Sequence, residues 1–562
     1  MENKKRLVIV GGGACGPKAA ARARRLDANA QITMITDDIY VSYAACGLPY
    51  YIAGAVRARS ELMVRDAAAF KKISNVDVLL HTTVDSIDRQ GHKISVTDTD
   101  SGKKYDLAYD KLVLSTGASP VVPPIPGIDL KGIHVLKRIP DADEIIELMA
   151  GSASKKAVII GAGLIGMEMA ETLVDKGFKV SIVEALDKLL PAVLDAEIAD
   201  MLVKYVASKG VELRLGQKVT GFEGKDGQVN KCITEKESFP ADLVILSIGI
   251  RPNSKLAREA GLEIGPFGDI AVNDHLQTSD PDIYAGGDCV ANTNLITGKK
   301  VFVPLGSTAN KHGHVIAANI AGGDLTFPGV VNTACVKVFD FNIGRVGLGE
   351  KEAQANGYKA VTAFIPGLDI PDYYPGHRDV TIKLVVDGQS RRILGGQGIG
   401  TGEVIKRIDV LATAITMGMN VDALADLDLA YAPPFNSALD ILHHAANLVR
   451  NKIAGRIVGA MPAEVKEKLD RKDDFVLLDV RSKSEWNTQR IDAPQTQHLP
   501  ERHLYDEMQR LPADKEIVTM CERGVRAYKA AVTLKNAGYK NVKFMEGSLS
   551  AWCYECYRNP GL

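Results

Sequence analysis

The chain has 562 residues, and at about 150 residues per domain this length predicts about four domains rather than one compact module. It carries 68 Lys and Arg against 69 Asp and Glu, so its net charge of −1 provides no general attraction to nucleic acid or to an anionic membrane. Its 8 cysteines are too few and too irregularly spaced for a disulfide scaffold. Because the N-terminus lacks the apolar core of a signal peptide and no apolar run approaches about 18 residues, we expect a cytoplasmic protein.

The first 40 residues have the pattern of a dinucleotide-binding unit. A strand, a GxGxxG turn, a helix and a second strand are predicted over residues 6–10, 11–16, 17–26 and 31–36. In this context Gly11 makes the turn, Gly13 lets a pyrophosphate approach the backbone, and Gly16 lets the helix pack on the strand. The phosphate would lie at the helix N-terminus. Asp37 or Asp38 is the candidate for the ribose hydroxyls, and the alternative is a glycine turn in an unrelated α/β unit.

The same order of elements returns later in the chain. A strand, a GxGxxG turn, a helix and a second strand are predicted over residues 157–160, 161–166, up to 176 and 179–184. Gly161, Gly163 and Gly166 would take the roles of the first three glycines. Glu184 is suited to bind a ribose 2′-hydroxyl and to repel a 2′-phosphate, which favours NADH over NADPH. Two dinucleotide sites in one chain imply electron transfer between two cofactors.

Two further segments, residues 112–117 and 284–288, complete a known pattern. They resemble the segments that close the FAD domain in the flavoprotein disulfide reductases with two dinucleotide-binding domains. This resemblance implies FAD and NADH as cofactors, with Asp288 on the ribityl chain of the flavin. Further cofactor contacts are implied at Val84, Thr116, Gly117, Ile165, Gly249 and Gly287.

The resemblance also implies the order of the domains. The NAD domain would be inserted into the FAD domain, and dimerisation and rhodanese domains would follow. The expected boundaries are 1–121 and 243–322 for the FAD domain, 122–242 for the NAD domain, 323–452 for the dimerisation domain and 460–562 for the rhodanese domain. The expected fold class is α/β, with two Rossmann-like domains, an α+β dimerisation domain and a rhodanese-like α/β domain.

Cys46 is the candidate redox thiol. It lies about ten residues beyond the second strand, where the glutathione-reductase branch has two cysteines separated by four residues. Here Tyr51 takes the position of the second cysteine. A single thiol must alternate between thiolate and a mixed disulfide, a persulfide or a sulfenic acid. The alternative is a buried cysteine that acts as a small hydrophobic residue.

The single-cysteine branch contains NADH oxidases, peroxidases, coenzyme A disulfide reductases and NADH-dependent persulfide reductases. The oxidases and peroxidases have a histidine in the first glycine turn, where this chain has Ala14 beside Cys15. Residues 42–51 instead resemble the coenzyme A disulfide reductase motif, in which Ser42 and Cys46 would line a coenzyme A pocket. The predicted activity is NADH-dependent reduction of persulfides, polysulfides or coenzyme A disulfides. The alternatives are an NADH oxidase or peroxidase, and a slow redox-sensing sulfur carrier.

Two tyrosine motifs support the same branch. Residues 372–376 and 430–434 resemble its motifs, in which the first tyrosine reaches the cysteine site of the partner subunit. We therefore expect Tyr373 and Tyr431 to complete that site in a homodimer, where a phenol hydroxyl can donate a hydrogen bond or a proton. Considered alone, each tyrosine would be a packed core ring.

Basic residues near the first turn are candidates for binding the phosphates and adenosine of coenzyme A. The candidates are Lys18, Arg22, Arg25, Lys71 or Lys72, and Asn310. The alternative for the helix residues is a solvated face. The chain departs from the branch at Ala45, at Leu439 and at Thr36, where Asn, Lys and an acid are usual. The first two departures leave the thiol substrate open.

The C-terminal hundred residues begin a new α/β pattern. A buried strand over residues 475–481 ends in Asp479 and Arg481, and a strand over residues 516–520 leads into the loop 521–526. A cysteine above backbone N–H groups and a helix N-terminus can hold an anionic persulfide. The pattern resembles a rhodanese domain, closed by residues 547–552, with Cys521 as sulfur carrier. The six-residue loop matches sulfurtransferases rather than the seven-residue loop of cell-cycle phosphatases, and an inactive relic is the further alternative.

The side chains around the second cysteine carry different expectations. Arg526 would steady the loop or the substrate anion, whereas Asp479 and Arg481 are expected to be structural. Cys553 and Cys556 have CxxC spacing, which alone is half of a zinc site. They are structural thiols, a resolving redox pair or metal ligands, and we predict no resident metal.

Overall fold

The computed structural model describes residues 4–152 and 154–559. The chain forms two compact units: the first runs to residue 185 and includes residues 211–330, and the second contains residues 186–210 and the chain from residue 331. None of the helices in the described ranges combines the length and apolar character that a bilayer crossing demands.

A five-stranded parallel sheet forms the core of the first unit. In spatial order its strands are Ile283–Ala285, Lys111–Leu114, Arg6–Val10, Gln31–Ile35 and Val76–Leu79. Helix Cys15–Leu26 follows the central strand and packs closely against helix Gly306–Ile320. A Cβ on Gly313 would lie only 2.5 Å from the carbonyl oxygen of Cys15, so glycine at this position permits the close helix crossing. The carboxyl ends of three neighbouring strands therefore place the first glycine turn, Thr116 and Gly286 at one edge of the sheet.

The first unit contains a second five-stranded parallel sheet. In spatial order its strands are Glu212–Leu215, Lys179–Glu184, Lys156–Ile160, Leu243–Leu246 and Ile133–Val135. Helix Leu164–Asp175 connects the two strands that carry the second glycine turn and Glu184. Continuous apolar runs such as residues 157–160 are typical of strands that are covered on both faces.

Smaller elements complete the first unit. Its antiparallel sheets are Thr82–Asp88, Lys93–Asp98 and Lys104–Ala108, and Val219–Lys225, Gln228–Thr234 and Ser238–Pro240. Its two-stranded pairs are Ala118–Pro120 with Ile250–Pro252, and Asn292–Thr293 with Lys300–Val301. Its other helices are Ala45–Gly47, Leu48–Ala53, Arg59–Leu62, Ala67–Ser74, Ile139–Gly151 and Lys255–Glu259.

The second unit begins with an antiparallel sheet covered by helices. The sheet order is Ala334–Val338, Phe341–Gly347, Ile393–Gly400, Asp379–Asp387 and Ala360–Leu368. Its helices are Ala196–Ser208, Glu350–Ala355, Val404–Thr416, Val421–Ala425 and Ile441–Ile453. Residues 186–210 belong to this unit, although the sequence assigns them to the inserted domain, and the domain boundaries stay predictions.

The C-terminal part of the second unit is a third parallel sheet. Its order is Gly459–Ala460, Val542–Met545, Glu516–Met520, Phe475–Asp479 and Thr496–His498. The helices around it are Pro462–Arg471, Lys483–Thr488, Glu501–His503, Leu504–Glu507, Met508–Arg510, Val525–Asn536 and Ser548–Ala551. Strand Gln489–Arg490 pairs with Tyr557–Arg558. The central strand Glu516–Met520 ends directly at Cys521, so the sheet positions this thiol at its carboxyl edge.

The predicted α/β fold class is confirmed, and the element boundaries differ by only a few residues. The first helix begins at Cys15 rather than at Pro17. Proline is tolerated there because its missing N–H has no partner in the first turn of a helix. The two strands and the helix around the second turn end within a residue of their predicted limits.

Candidate functional site

The first glycine turn has the geometry that a bound pyrophosphate needs. Gly11 has φ +117°, and a Cβ there would lie 2.1 Å from the carbonyl oxygen of Ser115. A Cβ on Gly16 would lie 2.1 Å from the carbonyl oxygen of Gly11, so the helix start packs directly on the turn. A Cβ on Gly13 would meet no atom within 4 Å, which keeps the backbone accessible. These three glycines fit the roles that the sequence predicts for them.

Two other segments meet the first turn at the same edge of the sheet. Gly117 and Gly287 have φ +67° and +84°, which glycine adopts without strain. Thr116 donates its hydroxyl hydrogen to the carbonyl oxygen of Asn253 at 2.6 Å. Burial raises the pKa of Asp288, and the ammonium of Lys137, 3.9 Å away, opposes this effect. The residues present therefore fit a bound FAD, with Asp288 available to accept hydrogen bonds.

The remaining predicted FAD contacts occupy different environments. Asp37 is exposed and pairs with Arg138 at 2.9 Å, whereas Asp38 is buried and accepts from the hydroxyl of Tyr43 at 3.3 Å. Val84 is half-buried on strand Thr82–Asp88. Its contact with the cofactor and that of Asp37 stay predictions.

The second glycine turn repeats the first. Gly161 has φ +97°, and a Cβ on Gly166 would lie 2.2 Å from the carbonyl oxygen of Gly161. Gly163 caps helix Leu164–Asp175, and Ile165 in its first turn is 39% exposed. The Oε2 atom of Glu184 accepts a hydrogen bond from the backbone N–H of Ala162 at 2.8 Å. The acid at the strand end is thus held against the turn that would bind NADH.

Gly249 lies one strand away from this turn. It has φ +113°, and its carbonyl oxygen accepts from the N–H of Val121 at 2.9 Å. Its predicted contact with a cofactor stays a prediction.

Cys46 is exposed in the short helical turn Ala45–Gly47, immediately before helix Leu48–Ala53. The other cysteines of this unit, Cys15, Cys232 and Cys289, are buried. Desolvation by its surroundings raises the pKa of the Cys46 thiol, the carboxylates of Glu168 and Asp288 raise it further, and Lys137 lowers it. The accessibility of this thiol fits the predicted redox role, whereas its raised pKa disfavours the thiolate.

Glu168 and Lys137 are functional candidates that the sequence reasoning missed. Glu168 lies on helix Leu164–Asp175, and Tyr50 donates its hydroxyl hydrogen to the Glu168 carboxylate at 3.1 Å. Burial raises the pKa of Glu168. Its position two residues after Gly166 was the available signal, because a carboxylate there lies next to the dinucleotide turn. Lys137 carried no sequence signal of this kind.

The basic residues predicted to bind coenzyme A are partly brought together. Burial and then the charges of Arg22, Lys18 and Arg25 lower the pKa of His314 on helix Gly306–Ile320, so the three cations share one face with that helix. The Nε atom of Arg22 is buried and has no hydrogen-bond partner among the described residues, which leaves a donor for an anion.

Three other predicted substrate contacts are placed differently. Ser42 adjoins the first turn, since its N–H donates to the carbonyl oxygen of Gly12 at 2.8 Å. Asn310 lies on helix Gly306–Ile320, where its side chain donates to the carbonyl oxygen of Gly306 at 2.9 Å. Lys71 forms an exposed ion pair with Asp77 at 2.7 Å. These three assignments stay predictions.

The two predicted tyrosines lie together in the second unit. Tyr373 is 70% exposed and Tyr431 is 52% exposed. The side chain of Tyr431 raises the pKa of Tyr373, so the two phenol groups are neighbours. The structure therefore joins two motifs that are far apart in sequence, and it leaves both rings at the surface rather than in the core.

The Cys521 loop has the form of an anion cradle. Cys521 is buried, and its Sγ accepts a hydrogen bond from the N–H of Gly524 at 3.1 Å. Its own N–H donates to the Oγ of Ser548 at 3.1 Å. Helix Val525–Asn536 begins within the predicted loop segment 521–526, four residues after Cys521, so its N-terminus lies close to the thiol. The arrangement can hold a sulfur atom that carries negative charge.

Arg526 is fixed beside this loop by a carboxylate. Its two terminal nitrogens donate to Glu485 at 2.8 and 2.6 Å, a bidentate pair. This bonding raises the pKa of Arg526 and lowers that of Glu485 to about 2. Arg481 and Asp479 are 2% and 0% exposed and pair with each other at 2.8 Å. Their burial supports the structural role that the sequence predicts.

The remaining polar clusters have local explanations. Cys553 and Cys556 are free thiols; burial raises the pKa of Cys553 to about 11, and Cys556 accepts from Gln489 at 3.1 Å. Cys15 is buried, and burial raises its pKa well above the ordinary value.

A group of three carboxylates, Asp195, Glu197 and Glu350, surrounds the ammonium of Lys383, so a side-chain cation already occupies its centre.

These features define a two-cofactor α/β oxidoreductase, with an exposed thiol that is affected by the charge of Asp288 and a C-terminal domain that contains a second thiol. The sequence matches the family "Pyridine nucleotide-disulphide oxidoreductase" over residues 5–313, its dimerisation domain over residues 333–442, and the "Rhodanese-like domain" over residues 461–555. The chain therefore belongs to the pyridine nucleotide-disulphide oxidoreductase family and carries a rhodanese-like domain. The predicted family, enzyme class and FAD and NAD cofactors are confirmed.

Three relatives illustrate the similarity. A protein of Pyrococcus furiosus named NAD(P)H sulfur oxidoreductase (CoA-dependent) is 39% identical over 447 residues, which are 80% of this chain and 99% of that protein. The structure of a NAD-dependent persulfide reductase from A. fulgidus has 42% identity and a TM-score of 0.93 over 97% of this chain and 100% of that one. The reduced CoADR-RHD of Bacillus anthracis has 34% identity and a TM-score of 0.92 over 98% of each chain.

Proposed function

We propose that this protein uses NADH to reduce sulfur–sulfur bonds at Cys46, and that Cys521 carries sulfane sulfur. The substrates we propose are persulfides, polysulfides, and the persulfide or disulfide of coenzyme A. The observation that carries the proposal is the exposed thiol of Cys46, whose pKa responds to Asp288 of the predicted FAD site and whose loop has no second cysteine. The names of the relatives from Pyrococcus furiosus and A. fulgidus support the substrate class.

The chemistry at Cys46 follows from a single thiolate. The thiolate attacks the sulfane sulfur of R–S–SH, the sulfur–sulfur bond breaks, and R–S⁻ leaves with the electron pair. Reduction of the Cys46 persulfide by two electrons then releases HS⁻ and restores the thiolate. The balance is R–S–SH + NADH + H⁺ giving R–SH + H₂S + NAD⁺. Bound FAD supplies the relay that passes the two electrons of NADH to sulfur.

In this proposal, the glycine turns and several charged residues of the first unit bind and orient the reactants. The turns at Gly11–Gly16 and Gly161–Gly166 would hold FAD and NADH, and Glu184 favours NADH over NADPH. Lys137 stabilises the thiolate of Cys46. The cationic face of Lys18, Arg22 and Arg25 would bind the phosphates of coenzyme A.

We infer that the active protein is a homodimer. The dimerisation domain matches over residues 333–442, and its neighbouring Tyr373 and Tyr431 are exposed. In the homodimer their hydroxyls would protonate the leaving thiolate at the partner's thiol site. Because all eight cysteines are free and the chemistry needs reduced thiols, we infer a cytoplasmic enzyme.

Substitution of each thiol tests the proposal. The wild type, Cys46→Ser and Cys521→Ser are assayed anaerobically for NADH oxidation with coenzyme A persulfide, coenzyme A disulfide and polysulfide. Cys46→Ser should lose more than about 100-fold in turnover with every substrate, because the nucleophile is gone. Cys521→Ser should keep coenzyme A disulfide reduction and lose turnover with any donor whose sulfane sulfur reaches Cys46 through Cys521. Mass spectrometry should find a thiol adduct on Cys46 and an added sulfur on Cys521.

Three results would contradict parts of this proposal. Rapid oxygen consumption without a thiol substrate would identify an NADH oxidase. Turnover of about one per minute or less with every disulfide and polysulfide would instead indicate a redox sensor, since enzymes typically turn over about 1 to 1,000 times per second. Unchanged persulfide turnover in Cys521→Ser with every donor would remove the carrier role.

A further inference from the structure

Glu546 is a buried carboxylate that joins the rhodanese-like domain to the dimerisation domain. Its side chain is 1% exposed. The Oε1 atom pairs with the ammonium of Lys452 at 2.5 Å, at the end of helix Ile441–Ile453. The Oε2 atom accepts a hydrogen bond from the N–H of Phe364, in strand Ala360–Leu368, at 3.0 Å. A buried carboxylate without such partners is costly, so the partners determine where Glu546 sits.

The residues directly after Glu546 hold the sulfur-carrying loop. Ser548 accepts from the N–H of Cys521 at 3.1 Å and donates to the carbonyl oxygen of Met545 at 3.0 Å. The N–H groups of Leu549 and Ser550 donate to the carbonyl oxygens of Cys521 and Glu522 at 3.2 and 2.9 Å. Three consecutive residues, which begin two positions after Glu546, therefore hold the loop by hydrogen bonds.

The connection between Glu546 and Ser548 has little freedom. Gly547 and Ser548 have φ +72° and +48°, so the chain makes a tight left-handed turn. A Cβ on Gly547 would lie 2.9 Å from the ring of Phe364, so the turn also packs on the dimerisation domain. A displacement of Glu546 would therefore move the acceptor that fixes the N–H of Cys521.

We propose that Lys452 and Glu546 are positioning residues for Cys521. The dimerisation domain, through this ion pair, keeps the loop in the conformation that accepts sulfur. The reactivity of the carrier thiol thus depends on residues outside the rhodanese-like domain. This proposal rests on the carrier function proposed for Cys521.

Sulfur transfer from thiosulfate to cyanide by the full-length holoenzyme provides the activity measurement. The Cys521 thiolate attacks the outer sulfur of thiosulfate, the sulfur–sulfur bond breaks, and sulfite leaves with the electron pair. Cyanide then attacks the sulfane sulfur, and the thiolate leaves, so thiocyanate forms without an external oxidant. Glu546→Gln and Lys452→Met should each lower kcat/KM by about tenfold or more, because misplacement of a reacting group costs rate steeply. Lys452→Arg keeps the cation and should stay within about threefold of the wild type.

Hydrogen exchange measures the loop position directly. The backbone amides of residues 521–524 should exchange faster in Glu546→Gln and Lys452→Met than in the wild type and in Lys452→Arg. Lys535→Met is the matched control, because Lys535 bonds to the carbonyl oxygens of Gly455 and Arg456 without touching the loop. The control should match the wild type in both measurements. Reduction of bound flavin by NADH should be unchanged in all variants, which shows that the first unit is folded, and wild-type fluorescence of Trp486 and Trp552 shows the same for the second unit.

The outcomes separate this proposal from the carrier function. Exchange of residues 521–524 at the wild-type rate in Glu546→Gln and Lys452→Met would overturn the positioning role. Equal kcat/KM values in the wild type and both variants would overturn it as well. A wild-type protein that transfers no sulfur, or one in which Cys521→Ser transfers sulfur at the wild-type rate, would overturn the carrier function, and hydrogen exchange would still decide the positioning role.

Discussion

At the scale of single residues, Glu168 and Cys46 show how two sequence motifs share one site. Glu168 follows the second glycine turn and Cys46 follows the first, yet the carboxylate raises the pKa of the thiol. The electrostatic cause is simple: a nearby negative charge disfavours a second one. The reactivity of Cys46 is therefore adjustable from the helix Leu164–Asp175.

Glu168→Gln should make Cys46 more reactive. Removal of the charge lowers the pKa of the thiol, so a larger fraction is thiolate at neutral pH. Alkylation by iodoacetamide at pH 7, followed at the Cys46 peptide by mass spectrometry, should accelerate several-fold. Glu171→Gln, on the same helix, is the control and should react like the wild type. An unchanged rate in Glu168→Gln would show that its charge does not act on the thiol.

His312 affects stability through its protonation state. It is 0% exposed, and its Nδ1 atom accepts a hydrogen bond from the N–H of Gly287 at 3.1 Å. Burial lowers its pKa to about 4, below the ordinary value of 6.5. The folded protein therefore keeps His312 neutral, whereas the unfolded chain protonates it below pH 6.5. The free energy of unfolding therefore decreases as the pH falls from 6.5 to about 4. His312 contributes up to about 3 kcal/mol to this decrease.

His312→Gln should weaken this pH dependence. The amide oxygen can accept from Gly287, and it does not titrate in this range. Urea unfolding of the first unit, followed by flavin fluorescence, should show a smaller loss of stability between pH 7 and pH 4.5 than in the wild type. His275→Gln replaces an exposed histidine of the same unit and should leave the pH dependence unchanged. Equal pH dependence in the wild type and His312→Gln would contradict the assignment.

At the scale of secondary-structure elements, Lys383 ties strand Asp379–Asp387 to two other segments. Its ammonium is 1% exposed and contacts Asp195 at 2.7 Å, Glu350 at 2.8 Å and Glu197. Burial alone would lower its pKa, but Glu197, Asp195 and Glu350 raise it well above the ordinary value of 10.5. The contribution of Lys383 to the free energy of unfolding is therefore fully present below pH 10.5. It is lost only as the pH rises through the raised pKa.

Lys383→Met should destabilise the second unit by about 3–5 kcal/mol, because three carboxylates would lose their common cation in a buried site. Both tryptophans, Trp486 and Trp552, belong to this unit, so urea unfolding followed by tryptophan fluorescence reports on it. Lys466→Met breaks an exposed pair with Asp470 and should cost less than about 1 kcal/mol. If Lys383→Met lowered the free energy of unfolding by less than about 1 kcal/mol, the ion-pair cluster would not be a net stabilising feature.

The elements that the sequence predicted well are those with local signals. Apolar runs before glycine turns predicted the strands Arg6–Val10 and Lys156–Ile160, because short-range sterics decide both the turn and the strand. Lys383, Glu546 and the effect of Glu168 on Cys46 could not be found in this way, although the position of Glu168 after Gly166 marks it as a candidate. Their roles depend on charges that come from segments distant in sequence, and a single sequence carries no pattern for such pairs.

At the scale of the whole molecule, exposed apolar side chains near Tyr431 indicate where a second copy would pack. Phe435 and Leu439 are 69% and 54% exposed in the dimerisation domain. Large apolar side chains grouped at a surface are typical of an interface. In that arrangement, the Cys46 site of each subunit would be complete only in the dimer.

If the protein is the homodimer proposed above, Phe435→Glu should make it monomeric. Light scattering after gel filtration should give twice 60.4 kDa for the wild type and 60.4 kDa for the variant. In the variant, each subunit would bury an unpaired carboxylate in the interface, and the cost of this burial opposes association. Disulfide reduction should fall with the dimer fraction, whereas Tyr505→Glu, at an exposed position of the C-terminal domain, should remain dimeric. A dimeric Phe435→Glu protein would place the interface elsewhere.

The hydrogen bond between Glu184 and Ala162 has a consequence for coenzyme engineering. A conversion to NADPH would replace Glu184 with a neutral or basic residue, so that a 2′-phosphate could approach. The same replacement removes the acceptor for the Ala162 N–H, which lies inside the turn that cradles the pyrophosphate. A switch of coenzyme therefore requires a second substitution that restores this acceptor. Without it, affinity should fall for both NADH and NADPH.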